Sequence, residues 1–352
     1  PAFVLGDDVT GAAAEAGTLA EQVGAAGGCE GLRAQQPLPS ANPNFRLGLP
    51  FDALAIRKAL DGVDTVLLVG GPFFEEVWYA PGPPLPPGAS VIHIEASPER
   101  LAHNLAVTVG LVSHPRAALS ALGAAVERGS SAAFRGPAAR RNEGLRALKG
   151  QDAEAQRARA AKRWAGTPIS VPRFVAEIEA ALPADAIVVD ESITASLDLT
   201  RTVQFERPGD YVGARGGGIG QALPGALGVK LAHPDRPVVA LSGDGSAMYS
   251  IQALWTAAHH DLAVVFVILN NREYRILKHN MDTYRQRFGA KPDRGYPNMD
   301  LVGPDLGFVD LARGMGVAGE RVVKPDELRP ALARALGAGR PFLLDVAIEG
   351  RA

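Results

Sequence analysis

Two polar clusters stand out because each directly follows an apolar run. Gly243-Asp244-Gly245-Ser246 comes just after Pro237–Leu241, and Asn270-Asn271 comes straight after Leu262–Leu269. Asp244 and Asn271 are 27 residues apart, the length of one helix plus one strand. In an open parallel sheet such a unit returns the chain to the same edge, where the carboxyl ends of the strands face the ligand crevice. A carboxylate, an amide oxygen and a backbone carbonyl meeting there form a hard-oxygen set. Mg2+ accepts such ligands when substrate phosphates complete its octahedron. Gly245 and Ser246 open a helix, so their amides are placed to meet a phosphate. A lone Gly-Asp-Gly or Asn-Asn is an ordinary turn. The combination at this spacing reads as a Mg2+–diphosphate site.

The elements that must position these clusters alternate between strand and helix. In the second block, 168–352, Ala186–Asp190, Pro237–Leu241, Leu262–Leu269 and Pro341–Ala347 are predicted strands, and helices are predicted at Val171–Leu182, Gln221–Ala232, Ser250–His260 and Glu327–Leu336. The first block, 1–130, repeats the alternation with strands at Pro1–Leu5, Asp64–Val69 and Ser90–Glu95 and helical spacing at Phe51–Leu60 and Pro115–Val126. The expected fold is α/β, with two open, mostly parallel sheets each flanked by helices. Between the blocks, residues 131–167 read as a basic, Ala/Arg-rich linker containing a helix, with nine basic and three acidic side chains from Arg135 to Arg163. A phosphate- or acid-binding arm is the sharper alternative for that segment.

Composition excludes several classes. Hydrophobic residues make up 47% and charged residues 21%, which is globular rather than disordered. No apolar run approaches the roughly 18–20 residues of a membrane span. Lys+Arg is 36 against 38 Asp+Glu, so a nucleic-acid surface is not expected. The single Cys29 excludes an intrachain disulfide framework and a cysteine-based zinc site, and suits a reducing cytoplasm. The chain opens without Met on Pro1-Ala2-Phe3-Val4-Leu5-Gly6, a strand already running into a turn, and the expectation is a truncated portion of a longer protein.

With these residues in view, Gly243-Asp244-Gly245-Ser246 and Asn270-Asn271 resemble the thiamine-diphosphate motif. The stretches Gly216-Gly217-Gly218-Ile219-Gly220-Gln221-Ala222-Leu223-Pro224-Gly225-Ala226 and Ser250–Ala258 resemble benzoylformate decarboxylase, within the acetolactate synthase and pyruvate decarboxylase superfamily. Asn44-Phe45-Arg46, Val66–Gly71 and Tyr79-Ala80-Pro81-Gly82 resemble its central domain more weakly. A dinucleotide fingerprint fails in the glycine stretch, because Leu223 or Gln221 stands where the last Gly is required.

The resemblance implies a thiamine-diphosphate- and Mg2+-dependent 2-keto acid decarboxylase or carboligase, a lyase or transferase, with an acetolactate synthase-like carboligase as the alternative. It implies Asp244 and Asn271 as side-chain metal ligands, with Glu273 offering its backbone carbonyl. Gly243, Gly245 and Ser246 would hold the diphosphate, with Ser192 and Thr194 closing over it and Tyr274 beside it; read without the family, Ser192 and Thr194 are helix-capping residues. Gly217 and Gly218 would lie beneath the bend of the cofactor and Ile219 would be the stiff apolar wedge that keeps it bent. Ile276, Leu277 and Asn280 are substrate-pocket candidates, with helix packing as the alternative; Arg275 and His279 read as a solvated i, i+4 pair. His93 and His103 read as structural, since Glu75-Glu76-Val77-Trp78-Tyr79 lacks the family's central-domain histidine. The family's activating glutamate lies in an N-terminal pyrimidine domain expected outside this chain, and Glu191 does not match its position. A non-catalytic cofactor-binding half, completed by a separate pyrimidine domain, is the reading from another class. No FAD, nucleic acid or membrane is expected; a homodimer or homotetramer is.

Overall fold

The computed structural model describes residues 1–350 apart from 32, 72, 75–79, 214 and 292–294. The segment from Glu75 to Tyr79, to which a missing histidine and part of the Tyr79–Gly82 resemblance were assigned, lies outside the described residues. The chain divides into two units, Pro1–Ala155 with Gln204–Tyr211, and Gln156–Val203 with Val212–Ala352.

The first unit contains β1 (Ala2–Leu5), α1 (Ala13–Val23), β2 (Ala26–Cys29), β3 (Phe45–Gly48), α2 (Ala53–Ala59), β4 (Thr65–Val69), β5 (Ser90–Glu95), β6 (Val109–Val112) and α3 (Pro115–Gly129). Its six strands run in the order β3-β2-β1-β4-β5-β6, all parallel. Side chains alternate between two cores, as strand geometry requires. Phe3, Leu5, Leu67 and Val69 join the face carrying α1 and α3, while Ala2, Val4, Val66 and Leu68 pack with Ile56 of α2 and Leu60 just after it. Between β1 and β4 the chain is packed shut. A Cβ on Gly6 would lie 2.0 Å from the Gly70 carbonyl oxygen.

The 131–167 segment is more ordered than the word linker suggests. Ala132–Lys162 is one 31-residue helix, α4, despite Pro137. Within the first unit it is fastened by polar side chains: Asn142 accepts from Asn44 at 2.8 Å, Arg141 donates to the Gly24 carbonyl, and Lys149 donates to the carbonyls of Asn42 (2.7 Å), Phe45 and Ser40.

The second unit contains α5 (Val171–Ala181), β7 (Ile187–Glu191), α6 (Ser196–Thr202), β8 (Tyr211–Gly213), α7 (Ala222–Ala232), β9 (Val238–Gly243), α8 (Asp244–Ala247), α9 (Ala253–His259), β10 (Val264–Asn270), α10 (Arg275–Phe288), α11 (Phe308–Gly314), β11 (Ala318–Val322), α12 (Leu328–Leu336) and β12 (Phe342–Ala347). The strand order is β11-β12-β10-β9-β7-β8. Every residue of β10 is buried, which explains why its sequence is a continuous apolar run without polar alternation. Phe266 and Ile268 of β10 lie in one core with Leu223, Leu254 and Phe308. Among the described residues no helix is long and apolar enough to cross a membrane.

Candidate functional site

Strand register assembles the site. Ser242 of β9 pairs with Glu191 of β7, and Gly243 pairs with Leu269 of β10. The residues that follow, Ser192, Asp244 and Asn271, therefore leave the sheet at one edge, with Asn270 closing β10. The 27-residue unit closes as expected, through parallel neighbours rather than distant strands.

Asp244 is buried, 3% exposed. Its Oδ1 accepts the Gly245 amide at 2.8 Å and its Oδ2 accepts the Arg272 amide at 2.6 Å, so the carboxylate ties the two polar loops together. Burial raises its pKa to about 6, against the opposing pull of these amides. An ionised carboxylate held there creates a demand for a cation. Asn271 forms a local turn, its Oδ1 accepting the Glu273 amide at 3.0 Å, and Arg272 takes a left-handed conformation (φ 61°). Glu273 pairs with Asp300 in an antiparallel bridge, and its carboxylate accepts from Lys278. A carboxylate, an amide oxygen and a carbonyl on these joined turns fit Mg2+ in donor chemistry.

Gly245 has a steric reason. A Cβ there would lie 2.6 Å from Cε1 of Tyr274, so only Gly lets this ring cover the start of α8. Two sequence expectations need correction here. The Gly245 amide is spent on Asp244. The helix opened at Asp244 also lasts only four residues, and the helix predicted from Ser250 begins at Ala253. Tight turns intervene, with Tyr249, Ser250 and Ala253 donating to Ser246, Ala247 and Ser250 carbonyls three residues back. Gly243 and the buried Ser246 lie at the turn as expected.

On the β7 side, Ser192 is buried and both its amide (2.9 Å) and its hydroxyl (2.6 Å) donate to Oδ1 of Asp190. The capping alternative does not hold, because the N-cap of α6 is Ala195 and no side chain caps it. Thr194 lines a cavity of about 340 Å³ with Arg159, Lys162, Ser170, Arg275 and Glu349. The cavity arginines are engaged: Arg159 meets Asp198 at 2.8 Å, Arg163 pairs with Glu349, and Arg275 donates to the Glu349 carbonyl. Arg275 is thus not simply solvated, whereas His279 is exposed.

Gly216, Gly217 and Gly220 all have positive φ, and a Cβ on Gly220 would lie 2.6 Å from that of Tyr249. Glu191 anchors this loop. Its buried carboxylate accepts the amides of Gly220 at 2.5 Å and Ala222 at 2.7 Å. The loop presents Gly217, Gly218 and Ile219 at the surface of the unit, with Ile219 41% exposed. On α10, Leu277 is exposed and Ile276 and Asn280 are half-buried; Lys278 alone is the buried residue of that helix. This argues against core packing as the purpose of Leu277.

Asn270, the first residue of the Asn270-Asn271 pair, has a bracing role. Asn270 donates to Asp345 of β12 at 2.9 Å inside the sheet, so it braces Asn271. In the first unit, His93 is buried, accepts the Ala102 amide at 3.2 Å and packs edge-on against Phe73, as a structural histidine does, while His103 is exposed.

Comparison with known proteins places both blocks in a known family. The thiamine pyrophosphate enzyme central-domain family model matches residues 1–122, and the thiamine pyrophosphate enzyme C-terminal TPP-binding-domain model matches 194–346. The chain is similar to benzoylformate decarboxylase of Pseudomonas aeruginosa, 34% identical over 98% of this chain and 60% of that protein. It is also similar to probable acetolactate synthase 2, chloroplastic, of Oryza sativa subsp. japonica, 28% identical over 82% of this chain and 43% of that one. Among solved structures, the thiamine diphosphate-dependent 4-hydroxybenzoylformate decarboxylase of Rhodococcus jostii RHA1 superposes with a TM-score of 0.81 at 30% identity, covering 100% of this chain and 62% of that one. The chain thus spans less than two thirds of these relatives.

Proposed function

The chain belongs to the thiamine pyrophosphate enzyme family, and from that premise we propose that it builds the metal- and diphosphate-holding wall of a 2-keto acid decarboxylase or carboligase. The observation that carries this is the buried Asp244 carboxylate, which joins the Gly243–Ser246 and Asn271–Tyr274 turns at one sheet edge. In this reading Asp244, Asn271 and the Glu273 carbonyl hold Mg2+. Gly243, Ser246 and Thr194 face the diphosphate, Ser192 shapes the turn beside it through its bonds to Asp190, and Gly245 serves by letting Tyr274 approach. Gly217 and Gly218 support the cofactor, and Ile219 fills the space inside its bend. Bound thiamine diphosphate supplies the electron sink for carbon–carbon bond cleavage or formation at the 2-keto acid carbonyl. The chain's part is to bind and orient it, with Ile276, Leu277 and Asn280 bordering the substrate.

The domain assignment we propose is 1–130 central, 131–167 a connecting segment formed mostly by the helix α4, and 168–352 diphosphate-binding. We assign no flavin, a cytoplasmic setting consistent with one buried thiol, and assembly as a homodimer or homotetramer. One observation favours a second reading, a cofactor-binding half. Both Glu191 oxygens accept backbone amides, so this residue is not poised to activate the aminopyrimidine. The activating carboxylate would then come from outside these residues.

The test is a panel of aliphatic and aromatic 2-keto acids with Mg2+ and thiamine diphosphate. The 352-residue chain would be assayed alone and together with a pyrimidine domain, scoring carbon dioxide release and carboligation products separately. Turnover only with the added domain supports the proposal. No cofactor binding under either condition would overturn it.

A further inference from the structure

Glu273 carries two oxygen donors of unequal strength. Its backbone carbonyl belongs to the turn assigned to Mg2+, yet its own carboxylate is the harder and more strongly charged ligand. The structure shows what restrains that carboxylate. Lys278 Nζ donates to Glu273 Oε2 and, at 2.5 Å, to Oδ1 of Asp300. The Lys278 and Glu273 side chains are each only 9% exposed. Gly350 closes the other side, since a Cβ there would lie 2.9 Å from Glu273 Oε1. The ammonium also sits 5.8 Å from the centre of the Tyr296 ring, on the same loop as Asp300.

The backbone is clamped at the same place. Tyr274 donates to the Met299 carbonyl and Leu301 donates to the Arg272 carbonyl, both at 2.8 Å, flanking the Glu273–Asp300 bridge. The metal turn is thus one strand of a short ladder, and two carboxylates, Glu273 and Asp300, face each other across it. Without a cation between them they would repel and open the ladder. A buried carboxylate deprived of its partner is also strongly disfavoured.

We propose that Lys278 is a positioning residue for the metal turn: by bridging Glu273 and Asp300 it keeps the ladder closed and so holds the Glu273 backbone carbonyl in place for the metal. This rests on the Mg2+–diphosphate reading above.

The test uses the full chain with thiamine diphosphate and Mn2+ as a paramagnetic probe of the Mg2+ site. Lys278→Met is expected to weaken Mn2+ affinity by roughly 10- to 100-fold, the usual range for a residue that orients a metal ligand. Amide hydrogen exchange at Tyr274 and Leu301 should accelerate in parallel. Lys278→Arg can still bridge two carboxylates and should restore most of both readouts. Asp300→Asn removes a half-exposed partner, leaves the buried pair intact and should move both readouts in the same direction by less. Wild-type Mn2+ affinity and exchange in Lys278→Met overturn the proposal. If that variant does not fold, unchanged readouts in Asp300→Asn overturn it. Asp244→Ala separates the two levels. If it loses Mn2+ while Lys278→Met keeps it, the clamp alone is wrong; if it binds Mn2+ as the wild type does, the metal site itself is misassigned.

Discussion

Metal binding at Asp244 should depend steeply on pH. Burial lifts this carboxyl from an ordinary value of 3.8 to about 6. A displacement of about two pH units corresponds to ~3 kcal/mol between the two protonation states. The direction follows from which state holds the proton longer. Below the ordinary value both folded and unfolded chains are protonated and the group contributes nothing. Between that value and about pH 6 the unfolded chain loses its proton first. Above about pH 6 the metal-free fold bears the full cost, so this group makes stability fall as pH rises through the window. A divalent cation offsets the cost but must displace the proton at lower pH, so apparent affinity should drop about tenfold for each pH unit below 6. The assay is thermal unfolding with thiamine diphosphate, with and without Mg2+, from about pH 5 to about pH 8. Asp345 and Glu179 are also pushed up by burial, so the wild type must be compared with Asp244→Ala at each pH. The Mg2+-dependent rise in Tm should be large at the alkaline end, shrink below pH 6 and be absent from the variant. A rise independent of pH, or one that persists in Asp244→Ala, would refute the reasoning.

Three further outcomes are expected. Gly245→Ala sets a methyl group 2.6 Å from the Tyr274 ring, so urea unfolding should show a loss of about 1–3 kcal/mol, with weaker cofactor binding by calorimetry. Glu191→Gln replaces an acceptor of two amides by a side chain that can accept only one of them. A loss of about 1–3 kcal/mol, with faster amide exchange at Gly220 and Ala222, is expected, and unchanged exchange would contradict the anchoring role. Ile219→Ala removes exposed bulk, so Mg2+ affinity should stay at the wild-type level while turnover in the assembled enzyme falls. A loss of metal affinity would count against the wedge.

Legibility in the sequence followed the range of the interactions. The strand over Val264–Asn270 was readable because burial on both faces demands an unbroken apolar run, and the Asp244–Asn271 spacing was readable because a crossover between neighbouring parallel strands has a characteristic length. β2, spelled Ala-Gly-Gly-Cys, carries no such run and was not anticipated; only pairing with β1 and β3 makes it a strand. The contacts that brace the site were equally hidden. Lys278 meets Asp300 across 22 residues, Asn270 meets Asp345 across 75, and Glu191 meets Ala222 across 31. None of these partners is separated by a helical or strand period, so no local pattern announces them. The break after Ala247 was missed for a related reason, since Ser246–Ala258 has continuous helical composition and the interruption consists of tight turns.

The register of β7, β9 and β10 also bears on how the protein folds. None of the three turns holds its position until strands with partners up to 51 residues apart have paired, and such non-local pairing is slow to form. The site is therefore a late product of the folding reaction, absent from any earlier, partly ordered state. A ligand that recognises only the finished edge lowers the energy of the native state and leaves the preceding barrier top where it was. Mg2+ and cofactor should accordingly lengthen the lifetime of the folded chain without hastening its formation. In a denaturant chevron the unfolding arm would shift downward while the refolding arm stayed in place.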